Sequence, residues 1–161
     1  MLSVRLICVG KLKEKFYREA CAEYEKRLKG YCKLEIVELT EQRLPDRPAQ
    51  AEIDAALRRE AETVRAKIPN GAAVIAMCIE GKPQSSEQLA AATLTDWMNR
   101  GVSQLCILIG GSCGLDETLK RNASLRLSMS PMTFPHHLAR VMVLEQVYRA
   151  LNIAAGGKYH K

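Results

Sequence analysis

None of the six cysteines forms a Cys-x-x-Cys pair with another, so the chain lacks the spacing of a structural zinc site. No apolar run approaches the length of a membrane span. Nothing is repeated or of low complexity, and no signal peptide is expected at the start, because the run Val4–Val9 is short and broken by Arg5. The glycine fingerprint of a dinucleotide fold is missing after the first apolar segment, where a lone Gly10 is followed by Lys11-Leu12-Lys13. There is no Walker loop either, since no Gly-Lys-Ser or Gly-Lys-Thr follows the later glycines. These absences argue against a membrane protein, a zinc module and the commonest nucleotide folds.

What is present is an ordinary globular composition, 47% hydrophobic and 26% charged over 161 residues, which fits one domain. Cys8, Cys78 and Cys106 lie inside apolar runs as small hydrophobes, a usage that points to reduced thiols and a cytoplasmic protein. Lys and Arg number 24 against 18 Asp and Glu, a net charge of +6. A basic balance of this kind suits a polyanionic partner such as RNA. The cations cluster at Lys11, Lys13, Lys15 and Arg18, at Lys26, Arg27 and Lys29, and at Lys120, Arg121 and Arg126. Solvated helix faces and loops would account for most of them.

Hydrophobic periodicity predicts strands at 3–9, 32–39, 72–79, 104–109 and 124–129. Helices are predicted over 14–29, 50–67, 86–100, 116–122 and 135–155, with a turn at Gly81-Lys82-Pro83-Gln84. Ser85 and Gln88 make a capping box for the third helix. Strand–helix alternation gives a parallel α/β sheet with ligands at the carboxyl ends of its strands.

Four segments could carry a site. The late glycine loop Gly110–Gly114 allows close approach of a ligand to backbone. In Met129–Pro135, two prolines frame an irregular loop whose backbone could bind an adenine edge. The long final helix has apolar residues on more than one face, so it is expected to be buried in the protein or in a second copy. The last segment, Lys158-Tyr159-His160-Lys161, can stack on and hydrogen-bond a base, although composition alone favours a frayed terminus.

These segments occur together and in order, with Val-Gly-Lys-Leu-Lys-Glu at 9–14, Ile-Gly-Gly-x-x-Gly-Leu at 109–115, Pro-His-x-Leu-Ala-Arg at 135–140, Glu-Gln-x-Tyr-Arg-Ala at 145–150 and the terminal Tyr-His-Lys. Across its whole length the chain resembles the RlmH family of the SPOUT superfamily. The resemblance implies a single α/β domain over 1–161 with a parallel sheet and a C-terminal trefoil knot spanning about 72–155, an outcome that periodicity alone would steer away from. It implies an obligate homodimer that uses S-adenosyl-L-methionine, without a metal or a membrane. The implied reaction is methylation of N3 of a pseudouridine in an intersubunit stem-loop of 23S rRNA on assembled 70S ribosomes. The implied cofactor contacts are Met77, Gly110, Met129, Ser130, Pro131, Met132, Thr133 and Phe134. His136, Arg140, Tyr159 and His160 match the family's substrate-side residues. On chemical grounds His160 would accept the N3 proton, Tyr159 would stack, Arg140 would hold a phosphate or a developing enolate oxygen, and His136 would order the loop.

The sequence departs from the family pattern at Cys78, where an acidic residue is usual, at Ser112-Cys113, and at Lys158 in place of a proline. Three other readings remain. One is the same kind of enzyme acting on tRNA. Another is a non-catalytic RNA-binding assembly factor. The third is a cysteine hydrolase built on Cys113 with His136 or His137.

Overall fold

The apolar runs are buried on both sides because helices cover both sides. In the computed structural model, which describes residues 1–161, β1 (Leu2–Val9), β2 (Cys32–Leu39), β3 (Ala73–Pro83), β4 (Gln104–Ile109) and β5 (Leu125–Ser128) form one five-stranded sheet in the order β2-β1-β4-β3-β5. Every neighbouring pair is parallel.

Side chains alternate across a strand, and the two core clusters follow that period. Val4, Leu6 and Cys8 of β1 point to one face with Leu105, Ile107 and Ile109 of β4. There they meet α1 (Lys15–Leu28), the helical run after β3, and α6 (His136–Ala154), which contributes Val143, Leu144, Val147, Ala150 and Leu151. Ile7, Val9, Cys106 and Leu108 point to the other face and pack on Ala61 and Val64 of α2 (Gln50–Arg65) and Leu119 of α5 (Glu117–Arg121). Removing one of these aliphatic side chains, such as Leu144 at 1% exposure, should cost about 3 kcal/mol.

Two elements differ from the sequence expectation in ways that shape the site. The sequence predicts a strand ending at Ile79 and a turn after it, but β3 continues to Pro83. Its pairing with β5 jumps, so that Met77 and Lys82 both register with Leu127 and residues 78–81 loop out at the sheet's carboxyl edge. Gly81 permits the return, because a Cβ there would stand 2.8 Å from the backbone of Arg126 and Leu127. Pro83 has no N–H to give the ladder and sits at the last position.

The second difference is in the third helix. It opens as predicted, with Ser85 Oγ accepting from the Gln88 N–H at 3.1 Å and Gln88 Oε1 accepting from the Ser85 N–H at 2.8 Å. It then runs as α3 (Ser86–Gln88), a π-helical stretch Leu89–Thr95, and α4 (Asp96–Asn99). The wider turn puts Leu89, Ala90, Thr93 and Leu94 all inside. No helix is long and apolar enough to cross a membrane.

Candidate active site

β3, β4 and β5 all deliver their carboxyl ends to one side of the sheet, where an α/β fold binds ligands. β4 stops at Ile109 because the next residues turn back on themselves. Gly114 donates its N–H to the Gly111 carbonyl at 3.0 Å and has φ +79°. The loop is so tight that a Cβ on Gly110 would lie 2.3 Å from the Gly114 carbonyl carbon. A residue from far away completes it. Glu41, in the segment after β2, accepts the Ser112 N–H at 2.6 Å. Its carboxylate fills the space where a Gly111 side chain would be, 2.6 Å from that Cβ position.

The segment between β5 and α6 forms the facing wall. Ser128 Oγ donates to the Ser130 carbonyl at 3.1 Å, and Ser130 Oγ accepts the Met132 N–H at 3.0 Å, which fixes the irregular loop between the prolines. Between this loop, the glycine loop and the bulged end of β3 lies a cavity of about 870 Å³. That size falls in the usual range of small-molecule pockets, ~300–1,000 Å³. Met77, Gly110, Met129, Ser130, Met132, Thr133 and Phe134 line it, so seven of the eight residues expected to contact the cofactor come together. Pro131 does not; it is exposed and lies outside the lining. Its ring sets the loop's path, and its neighbours do the lining.

The cavity's charged members are Glu80 and Lys120, joined at 2.6 Å. The bond from Lys120 holds the Glu80 carboxyl below its ordinary range. Position 78 itself offers a thiol, and the carboxylate nearest it in sequence on the cavity wall is Glu80. Cys78 also lines the cavity, and its thiol is raised chiefly by burial.

His136 stands at the cavity edge, with Nε2 3.0 Å from His137 Nε2. Burial lowers its pKa first, and His137 and Arg140 add to that, so its neutral form is favoured. Its Nδ1 is buried without a hydrogen-bond partner.

Arg140, expected on the substrate side, does not line the cavity. The side chain is 5% exposed and its two terminal nitrogens are committed inside the protein, Nη1 to Glu38 Oε2 at 2.6 Å and Nη2 to the Gly10 carbonyl at 3.0 Å. Burial opposes ionisation of Glu38, yet the bonds from Arg140 and from the Leu12 amide hold its pKa below the ordinary carboxylate value.

The tail is clamped rather than frayed. Tyr159 donates its hydroxyl to Glu145 Oε1 at 3.1 Å, and the Arg149 guanidinium lies 4.5 Å over the Tyr159 ring. His160 Nε2 is 2.7 Å from Glu87 Oε1, and its Nδ1 is 3.2 Å from Arg149 Nη1. The Glu87 carboxyl is lowered to about 2, first by its own backbone amide and then by His160. Neither tail residue lines the cavity of its own chain.

Sequence reasoning did not single out Glu38, Glu41, Glu80 or Glu87 as partners. Glu38 reads as one more polar position in an alternating strand, and Glu41 as loop. Their partners are 102 and 71 residues away, respectively, beyond any local signal.

The family model described as predicted SPOUT methyltransferase matches residues 2–160. A Bifidobacterium adolescentis protein called ribosomal RNA large subunit methyltransferase H is 47% identical over 160 residues, covering 99% of this chain and 100% of that protein. The protein of the same name from Clostridioides difficile is 43% identical with the same coverage. Among solved structures, a probable methyltransferase from Bordetella pertussis superposes with a TM-score of 0.57 at 17% identity, over 93% of this chain and 96% of that one. A probable methylase family protein from Haemophilus influenzae gives 0.53 at 14% identity, over 100% of this chain and 72% of that one. At these identities the two structures support the fold.

Proposed function

This chain belongs to the SPOUT methyltransferase family, and on that premise we propose that it transfers a methyl group from S-adenosyl-L-methionine to N3 of a pseudouridine in the intersubunit stem-loop of 23S rRNA. The observation that carries the reading is the convergence of Met77, Gly110 and the Met129–Phe134 loop around one cavity at the carboxyl ends of β3, β4 and β5. Relatives named for large-subunit ribosomal RNA over the full length support the substrate. The single domain over 1–161, the trefoil knot spanning about 72–155 and a cytoplasmic site of action belong to the same reading.

The cavity fits the cofactor. Methionine, leucine and phenylalanine side chains offer apolar surface for a purine, while Ser130 and the glycine-loop backbone offer polar groups. When bound, S-adenosylmethionine supplies an electrophilic methyl on a sulfonium and leaves as a neutral thioether.

The protein's own work is to hold the acceptor nitrogen in line and take its proton. We assign the proton to His160, directly or through water, with Tyr159 stacking on or orienting the base. Both residues are held by Glu87, Arg149 and Glu145, and neither lines their own chain's cavity. They would therefore serve a partner's cavity in a homodimer. Leu138, Val141 and Met142 on α6 remain partly exposed, as an interface between copies requires. His136 orders the loop, and Arg140 positions Gly10 rather than touching substrate.

The test is transfer of labelled methyl to ribosomes lacking their own modification, with 70S particles, free 50S subunits and 70S particles without the pseudouridine compared side by side. Label mainly on pseudouridylated 70S rRNA is expected. Label on tRNA instead would keep the enzyme class and overturn the substrate. A His160→Ala protein should lose roughly a hundredfold or more in turnover with cofactor affinity kept; full turnover would remove the base assignment.

A further inference from the structure

We propose that the segment Lys11–Phe16, between β1 and the first turn of α1, is the surface on which RNA docks: Lys11, Lys13 and Lys15 take backbone phosphates and Phe16 stacks on an unpaired base. The inference rests on RNA being the substrate and names the part of the protein that meets it.

The first argument is position. The segment leaves β1 at Gly10, whose φ is +107° and whose Cβ position lies 3.3 Å from His136 Cε1. His136 and His137 line the cavity. Within the segment Glu14 Oε2 is 3.9 Å from His137 Nδ1, and just past it the Tyr17 ring is 6.0 Å from the His137 ring. RNA bound here would lie beside the reacting centre.

Charge and exposure come next. Lys11, Lys13 and Lys15 are all exposed. Lys11 and Lys13 pair with no carboxylate, and Lys15 has only a loose contact of 3.5 Å with Glu19, both side chains being well solvated. Phosphate can therefore bind the loop lysines without first displacing an internal partner. Arg5, Arg27, Arg100, Lys120, Arg140 and Arg149 each have a carboxylate within 3.0 Å, whereas Lys26, Lys29, Arg121 and Arg126 of the other two basic clusters do not, so nearness to the cavity and Phe16 are what set this segment apart. Phe16 is 63% exposed and tilted against Tyr17 at 4.4 Å, one of two phenylalanines in the chain. A large aromatic left in water among lysines is the combination that single-stranded and looped RNA uses, because every base offers a π face.

The last argument is rigidity. Arg18 Nη1 donates to the Lys13 carbonyl at 2.6 Å, the Leu12 N–H donates to Glu38 Oε2 at 3.2 Å, and Arg140 holds the Gly10 carbonyl. The lysines stand on a fixed backbone, so less order is lost on binding.

The test uses the full-length protein and unmodified 70S ribosomes, measuring ribosome affinity across a salt series, methyl transfer, and S-adenosylmethionine affinity as a check on the cavity. The variants are K11A/K13A/K15A, F16A and F16W. The triple variant should lose at least tenfold in ribosome affinity, and its log–log salt slope should shrink by about two to three. F16A should lose roughly tenfold with the slope unchanged, F16W should restore binding, and cofactor affinity should stay constant throughout. Wild-type affinity and slope in both K11A/K13A/K15A and F16A would overturn the proposal. If the wild-type protein methylates no ribosomal RNA at all, the functional reading itself fails, and that result is distinct from the variant series.

Discussion

Arg140 and Glu38, 102 residues apart, meet at 2.6 Å and tie the last helix to the end of the second strand. The same guanidinium holds the Gly10 carbonyl at 3.0 Å, and the same carboxylate accepts the Leu12 amide at 3.2 Å. Together they pin the β1–α1 loop. Glu38→Ala would leave a buried guanidinium with one neutral partner, at a cost of about 3 kcal/mol in denaturant unfolding. Arg140→Lys should not restore stability, because one ammonium cannot serve both acceptors as the planar fork does. A loss below about 1 kcal/mol in Glu38→Ala would mean the pair is decorative.

Glu41 should matter for the cofactor although it does not line the cavity. Glu41→Ala frees the Ser112 amide and should weaken S-adenosylmethionine binding about tenfold by calorimetry. Glu41→Gln keeps an acceptor and should recover most of that. Gly111→Ala should resemble Glu41→Ala, since its Cβ would push the carboxylate aside. Gly110→Ala should be worse, because it meets the Gly114 backbone, which cannot yield. Equal affinity in all four would separate the glycine loop from cofactor binding.

His136 gives a pH dependence with a definite sign. Burial sets its folded pKa below the ordinary value, near ~6.5 for the unfolded chain. The unfolded chain therefore binds the proton more readily, so stability is full above ~6.5 and is lost as the pH falls through the folded value. Between about pH 8 and about pH 5 the wild-type Tm should fall further than that of His136→Asn. Equal falls would show that His136 titrates alike in both states.

The thiols should divide by burial. Cys8 and Cys106 are pushed up to about 12 and Cys32 to about 11, all by burial, so they should stay silent to a thiol reagent at neutral pH. Cys113 is exposed in the glycine loop and lines the cavity. It should react first, and S-adenosylmethionine should slow it. A Cys113 reaction rate indifferent to the cofactor would place the ligand elsewhere.

Much of this was legible before the fold was known. A continuous apolar run marks the strand at 104–109 and strict alternation marks the one at 32–39, both to the residue, because these patterns and the turn residues around them are local. The glycine loop and the proline-framed loop could be named as sites from residue types alone. What could not be read was long-range. The bulge in β3 depends on how Gly81 meets β5, and the π-helical stretch has no propensity signature. Arg140 is placed on the substrate side by the resemblance alone, and nothing in its own helix marks Glu38 and the Gly10 carbonyl as the partners it meets. The tail looked frayed because its clamps, Glu87, Glu145 and Arg149, come from two other helical segments.

On the proposed function, this cavity delivers a methyl group to N3 of one pseudouridine. Its most direct test is mass mapping of 23S rRNA after incubation of unmodified 70S ribosomes with the protein and S-adenosylmethionine, with Gly110→Ala as the control. A single stem-loop pseudouridine heavier by one methyl group is expected, and no such product with the Gly110→Ala protein. A methyl group on another nucleotide, or undiminished modification by Gly110→Ala, would contradict it.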